Sequence, residues 1–344
     1  MTATPSDSPR VIEVTSTQPG LPWSERLRVR FEDRLPLAAK QVRIGMLAMN
    51  ILPADLLQMQ GLYGVKPELP YVPGHEGVAV VLEVGQGVDD LKLGDRVLPM
   101  GAGGLWADER VLHRRALVPV PAQGDVLQQA MLTANPATAW VLLQHQRVLQ
   151  RGDWVVQNAA NSAVGQCVRQ IAAHLGLKVL NIVRRADAVP RDSAEHWLVD
   201  EGGDAAAVVS QARHITGGAT VSLGLDAVGG SASATLAACL AEGGRLVVYG
   251  LLSGQPSQMA AHDLVFRGVE MSGFWLARWF ADPANREAGK QVYPALMNLS
   301  AQGSLEMAVE QVYDLAEVAQ ALAHAARDGR QGKVLLRGAS YPLA

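Results

Sequence analysis

The run Val155-Val156-Gln157-Asn158-Ala159-Ala160-Asn161-Ser162-Ala163-Val164-Gly165, continuing as Gln166-Cys167-Val168-Arg169-Gln170-Ile171-Ala172, constrains the fold most. An apolar strand enters a turn of small residues, and the turn opens a helix. Small side chains let a backbone approach a pyrophosphate, and the first turn of a helix offers N–H groups and positive dipole. The stretch is not a strict G-x-G-x-x-G. Only Gly165 remains, where helix and strand must pack closely. Its place at the head of further strand–helix units marks it as a nucleotide site. The next apolar run, 178–183, ends in Arg184-Arg185. NAD sites place an acid about 20 residues beyond the loop to hold the ribose hydroxyls. Two arginines there either meet a 2′-phosphate, which selects NADP(H), or form a solvated strand end.

The rest of the chain divides by texture. Strand patterns at 153–157, 179–183, 221–225, 245–249 and 269–273 alternate with helical ones at 164–175, 204–216 and 231–241. Such alternation predicts an α/β fold with a doubly wound parallel sheet. Residues 128–150 read as helical with a break near Asn135-Pro136, and 193–211 carry the weakest pattern. Two helical stretches are expected within 282–322, then a late strand at 333–336. Up to about Pro121 the runs are short, at 41–48, 77–85 and 94–99, with Gly and Pro between them and a short helix at 54–60. This spacing predicts a small β-rich barrel.

Bulk properties exclude several classes. With 344 residues, 49% of them hydrophobic, the chain can bury two cores. A net charge of −3 offers no general attraction for nucleic acid. No apolar run reaches the length of about 18 residues that a membrane helix needs. The start, Met1-Thr2-Ala3-Thr4-Pro5-Ser6-Asp7-Ser8-Pro9, lacks the apolar core of a signal peptide. Cys167 and Cys239 form no disulfide framework and read as small packing residues. A cytoplasmic setting is the expectation.

Three further features carry chemistry or packing. Pro73-Gly74-His75-Glu76-Gly77 invites a metal reading, but a catalytic zinc needs roughly three protein ligands. No second His stands at helical spacing and no Cys is near, so a turn with local hydrogen bonds and no metal is expected. Tyr63, between Gly61 and Gly64 in a loop, either packs the loop down or presents its hydroxyl as a proton donor to a developing carbanion. Phe274, Trp275, Trp279 and Phe280 crowd one segment of a chain that is 5% aromatic. They line a pocket at the carboxyl end of the sheet or form a dimer contact. No G-x-S-x-G elbow or G-x-x-x-x-G-K-[ST] loop is present.

Gly94-Asp95-Arg96-Val97, Gly152-Asp153-Trp154-Val155 and Ala227-Val228-Gly229-Gly230, spread over nearly the whole chain, resemble the medium-chain dehydrogenase/reductase superfamily. The zinc-ligand pattern of its alcohol dehydrogenases is absent, which places the resemblance on the zinc-free side. Gln60-Gly61-Leu62-Tyr63-Gly64, Asn135-Pro136-Ala137-Thr138-Ala139, Gln157 to Gly165 and Gly273-Phe274-Trp275-Leu276 are similar to mitochondrial-type trans-2-enoyl thioester reductases. The resemblance implies a GroES-like domain of residues 1–122 and 300–344 and a Rossmann domain of 123–299. It implies Tyr63 as proton donor. It also implies NADPH contacts from Asn135, Asn161, Ser162, Ala163, Val164, Arg184, Tyr249, Gly250, Leu251, Leu252, Phe274, Trp275, Leu276 and Lys333. Two departures stand out. Leu52 precedes Pro53-Ala54-Asp55 where the family usually has Asn, and Arg184-Arg185-Ala186 replaces Arg-Asp-Arg, which assigns phosphate binding to Arg184 with Arg185.

The activity implied is NADPH-dependent reduction of 2-enoyl thioesters carried by CoA or an acyl-carrier protein. It would be zinc-independent, serve fatty acid metabolism, and run in a homodimer joined edge to edge through the strand at 269–273. Two alternatives remain: a quinone or enone reductase with the same cofactor, and a non-catalytic NADPH-binding regulator.

Overall fold

The computed structural model describes residues 8–191, 193–202 and 205–342. Met1 to Asp7, read above as free of a signal sequence, and Asp204, where a helix was expected to begin, lie outside the described residues. The chain forms two compact units, one of Met1–Ala134 with Glu306–Ala344, the other of Asn135–Leu305.

The first unit begins with β1 (Arg10–Val14), a short α1 (Trp23–Arg26) and β2 (Leu27–Phe31), which pairs antiparallel with β1. Next come β3 (Gln41–Asn50), α2 (Pro53–Met59), β4 (Gly77–Val84), β5 (Arg96–Pro99), β6 (Glu109–His113), β7 (Leu117–Val120) and α3 (Val126–Gln129). The second unit holds α4 (Asn135–His145), β8 (Trp154–Gln157), α5 (Ala163–Leu175), β9 (Lys178–Val183), β10 (His196–Val199) and α6 (Ala205–Thr216). It continues with β11 (Val221–Asp226), α7 (Ser231–Cys239), β12 (Arg245–Val248), α8 (Ala261–Val265), β13 (Glu270–Gly273), α9 (Leu276–Ala281) and α10 (Arg286–Ala301). The chain then returns to the first unit as β14 (Val309–Asp314), α11 (Val318–Ala325) and β15 (Lys333–Arg337).

In the first unit the strands run β14-β15-β3-β4-β5-β7, with β6 also on β3. β3 anchors this sheet. It pairs with β4 along one edge, and β6 and β15 share the other. Nine of its ten residues are buried, so it reads as a continuous apolar run. Ile12, Ile44, Met46, Met49, Trp106 and Leu336 form part of the core beneath it.

The second unit is a parallel sheet in the order β10-β9-β8-β11-β12-β13. All four residues of β8 are buried, as expected for a central strand covered on both faces. This order is that of the doubly wound dinucleotide fold.

The structure departs from expectation in places. The divisions fall at 134/135 and 305/306, not at 122/123 and 299/300. Residues 123–134 stay with the first unit because Gln128 exchanges two hydrogen bonds with the Met307 backbone, both 2.9 Å, and Gln129 donates to Pro121 O. Leu299 and Leu305 are buried, which keeps 300–305 with α10. Asn135-Pro136 opens α4 instead of breaking a helix, since a proline in the first turn forfeits no helical hydrogen bond. β10 and β14 had no strand signature. β10 is a four-residue edge strand, and among the described residues β14 (VEQVYD) pairs only with β15. Cys167 is buried, and burial pushes the Cys239 thiol up to about 12, so it stays un-ionised. Among the described residues no helix is long and apolar enough to cross a membrane.

Candidate active site

In the second unit the strand order reverses between β8 and β11, since β9 follows on one side and β12 on the other. Ligands of such sheets bind beyond the carboxyl ends of the strands at this point. The turn from β8 to α5 occupies it. Ala159 holds φ +45°, a left-handed conformation that small residues turn through most easily. Ser162 caps α5, its Oγ accepting from Gly165 N at 3.1 Å. A Cβ on Gly165 would lie 2.7 Å from the carbonyl oxygens of both Ala159 and Ala160. That contact explains why this one glycine survives in the motif. Gln157 braces the turn from below, donating to Gly165 O at 3.1 Å and Asn181 Oδ1 at 2.8 Å. Asn161 is exposed at the lip, with Ser162, Ala163 and Val164 beside it.

Asp226, at the end of β11, is wholly buried. It accepts from Asn158 Nδ2 at 2.6 Å, Val228 N at 2.8 Å, Gly229 N at 3.0 Å and Ser233 Oγ at 2.5 Å. Asn158 Oδ1 in turn accepts from Ala227 N at 2.8 Å. This clasp joins the two strands at the switch point. Reading of the sequence passed over both side chains as site residues, because an Asp before a glycine pair looks like ordinary turn chemistry.

The remaining expected cofactor residues fall into distinct places. Tyr249 and Gly250 leave β12 on hydrogen bonds to Asp226 O, and a Cβ on Gly250 would meet Ala227 O at 2.5 Å. Burial, with Asp226 adding, raises the Tyr249 hydroxyl well above the usual phenol range. Leu251 and Leu252 are exposed. Phe274 N bonds to Val248 O at 2.8 Å, Trp275 is exposed and Leu276 opens α9. Trp279 and Phe280 have a different role: Trp279 lies 5.1 Å from the His145 ring, and Phe280 stacks on Tyr293 at 5.4 Å. They pack α9 onto α4 and α10 within the unit. Arg184 is exposed after β9, whereas Arg185 is drawn to Asp187 at 2.9 Å. Asn135 Nδ2 is buried with no hydrogen-bond partner among the described residues, a donor that a bound ligand would satisfy. The capped helix N-terminus, the close-approach glycines, the exposed Arg184 and this buried donor together fit NADP(H).

Tyr63 stands in the first unit, on the loop after α2. Leu62 N and Tyr63 N both donate to Leu57 O, at 2.8 and 3.2 Å. The Tyr63 ring is half-buried and meets the His75 ring edge-on, 5.9 Å between centroids. His75 Nδ1 lies 2.5 Å from Asp55 Oδ1, and Asp55 Oδ2 accepts from Leu52 N at 2.8 Å. Burial lowers the His75 pKa, but the hydrogen bond to Asp55 and the charge of that carboxylate together outweigh this and hold it above the usual range. Tyr71, raised by burial and then by Asp55, has a buried hydroxyl with no partner among the described residues.

Glu76 is fully buried, and its bonds are long-range instead of local: Asn50 Nδ2 at 2.6 Å, Ala134 N at 2.6 Å and Thr133 Oγ1 at 3.2 Å. Burial raises its carboxyl, although these donors and the Lys333 charge oppose the rise. Lys333 is itself buried, at the start of β15 in this unit. Among the described residues no group of three or more His, Cys, Asp or Glu side chains has metal-binding geometry.

The pattern of the alcohol dehydrogenase GroES-like domain matches residues 38–122, and that of the zinc-binding dehydrogenases matches 163–302. The mitochondrial enoyl-[acyl-carrier-protein] reductase of Homo sapiens is 39% identical over 282 residues, 79% of this chain and 74% of that one. A Bacillus thuringiensis protein assigned as an NADPH:quinone reductase superposes with a TM-score of 0.84 at 27% identity, covering 96% of this chain and 99% of that one. The complex of Etr1p, from Candida tropicalis, with NADP and crotonyl-CoA superposes with a TM-score of 0.85 at 22% identity, with the same coverage. The chain belongs to the medium-chain dehydrogenase/reductase superfamily, close to the mitochondrial-type enoyl thioester reductases.

Proposed function

We propose that the protein reduces 2-enoyl thioesters with NADPH, adding hydride at the β-carbon and a proton at the α-carbon. One observation carries this reading: a chain with an NADP-type turn at the switch point of its parallel sheet also holds Tyr63 in a braced loop. The 39% identity to an enoyl-[acyl-carrier-protein] reductase supports the substrate class. When bound, the reduced nicotinamide supplies the hydride. Ser162 to Gly165 would receive the pyrophosphate at the helix N-terminus, and Arg184 the 2′-phosphate. Asn135, Tyr249 to Leu252 and Phe274 to Leu276 would line the rest of the cofactor, with Lys333 as a further contact. Tyr63 would give its phenolic proton to the α-carbon as negative charge develops there. No residue of this scheme is asked to hold zinc.

A quinone or enone reductase is the second reading, favoured by the likeness to the Bacillus thuringiensis protein. NADPH and NADH oxidation measured against crotonyl-CoA, an acyl-carrier-protein thioester, a quinone and 2-cyclohexenone decides between them. Thioester turnover that exceeds quinone turnover by at least about 10-fold in kcat/KM, a difference of about 1.4 kcal/mol, supports the proposal; the reverse order sinks it.

We further propose a homodimer joined through β13. Among the described residues this strand pairs only with β12, and nearby Val265 (71%), at the end of α8, and Phe266 (76%), just after it, are exposed. An open strand edge beside apolar side chains is a surface that proteins normally cover. A monomer mass by light scattering at micromolar concentration would reject this.

A further inference from the structure

We propose that His75, held by Asp55, is a positioning residue for Tyr63 that fixes the phenol and stabilises negative charge on its oxygen once the proton has left. This inference rests on the thioester reductase reading and names the group through which Tyr63 is controlled. It starts from the contact of the two rings, edge-on at 5.9 Å. Tyr63 sits half-buried in a loop whose neighbours Leu62 and Val65 are exposed. The His75 ring, by contrast, is tied at Nδ1 to a wholly buried carboxylate at 2.5 Å. Asp55 is fixed in its turn by Leu52 N at the start of α2, the helix that ends just before the Tyr63 loop. A continuous path of hydrogen bond and ring contact thus leads from a helix start to the phenol.

The charge balance supports the same role. Donation by Tyr63 breaks its O–H bond, forms a C–H bond at the substrate α-carbon and leaves a phenolate, which solvent then reprotonates. A protonated imidazole beside that phenolate lowers the energy of the charge-separated state. Among the described residues, the titratable groups on His75 are Asp55 on α2 and Tyr63 on the following loop, with Tyr71 acting on Asp55 from the segment before His75. Glu76 is turned away, to Asn50, Thr133 and Ala134. Asp55 favours the protonated form of His75, and burial with the Asp55 charge disfavours ionisation of Tyr71.

The test is His75→Gln made in the full-length protein and in Tyr63→Phe, because Asp55 variants would also disturb α2. NADPH Kd within about twofold of wild type shows that each variant is folded. The expected result is a kcat with crotonyl-CoA lower by about 10-fold, the scale of a slight misplacement of a reacting group, with little change in KM. Wild-type kcat should fall on a basic limb as His75 deprotonates, and that limb should be missing or shifted in His75→Gln. In the Tyr63→Phe background the same change should cost nothing further. An equal loss in both backgrounds, or an unchanged rate and pH profile in the single variant, overturns the inference. Wild-type inactivity on every enoyl thioester overturns the functional reading as well. Thioester turnover that Tyr63→Phe abolishes and His75→Gln leaves intact overturns this inference alone.

Discussion

The turn at 158–165 is fastened by side chains: half-buried Ser162 caps its helix, buried Gln157 braces it, and buried Asn158 ties it to Asp226 and the next strand. The contacts that hold the loop carrying Tyr63 include backbone bonds to Leu57 and Gln58, the Gln58 side chain on Val65 O and the ring contact with His75, with Leu62 68% exposed beside it. The difference follows from the two tasks. A pyrophosphate is recognised by backbone N–H groups and a dipole, so any small residues that hold the shape suffice. Proton donation depends on one hydroxyl, and its loop must still admit a substrate.

The contrast can be broken first at Asp226. Asp226→Ala would leave the Asn158, Val228, Gly229 and Ser233 donors buried without their acceptor. A loss of about 3–5 kcal/mol in urea unfolding is expected, as for removal of one partner from a buried charged network. A loss under about 1 kcal/mol would show that the clasp is dispensable. Arg184→Ala comes next. It should weaken NADPH by about 10- to 100-fold, the worth of charge-assisted bonds to one phosphate, and leave NADH nearly unchanged. The matching change at Arg185, already engaged by Asp187, should be smaller; equal effects would contradict the assignment.

The smallest effect concerns the first unit alone. Hydrogen bonds from Arg28 and then Arg30 lower the Glu13 carboxyl pKa below its usual range. A depressed folded-state pKa contributes stability that is present above the unfolded value and lost as pH falls through the folded one. Glu13→Gln should therefore cost less than about 1 kcal/mol at pH 7 and nothing near pH 2. A cost that grew on acidification would reverse the sign and reject the pairing.

Much of the second unit was legible because its strands are apolar runs between helical periods, from Trp154 to Val248. β10 and β14 were not, since edge strands need no apolar face and His-Trp-Leu-Val or Val-Glu-Gln-Val-Tyr-Asp shows no clear alternation. Tyr63 stood out through the glycines near it and through resemblance, not through any charge pattern. The Asp55–His75 pair was illegible because its members stand 20 positions apart and meet only through the fold. Trp279 and Phe280 show the converse. Aromatic crowding was visible, yet only the ring contacts to His145 and Tyr293 reveal that it packs helices together.

The central claim is that Tyr63 gives the proton while other residues, most of them in the second unit, hold the cofactor, and one variant separates the two. Tyr63→Phe should lower kcat with crotonyl-CoA and NADPH by about 100-fold or more, the usual worth of a general acid, with NADPH Kd measured by fluorescence staying within twofold. Turnover equal to wild type, or a loss explained wholly by weaker NADPH binding, would contradict the account.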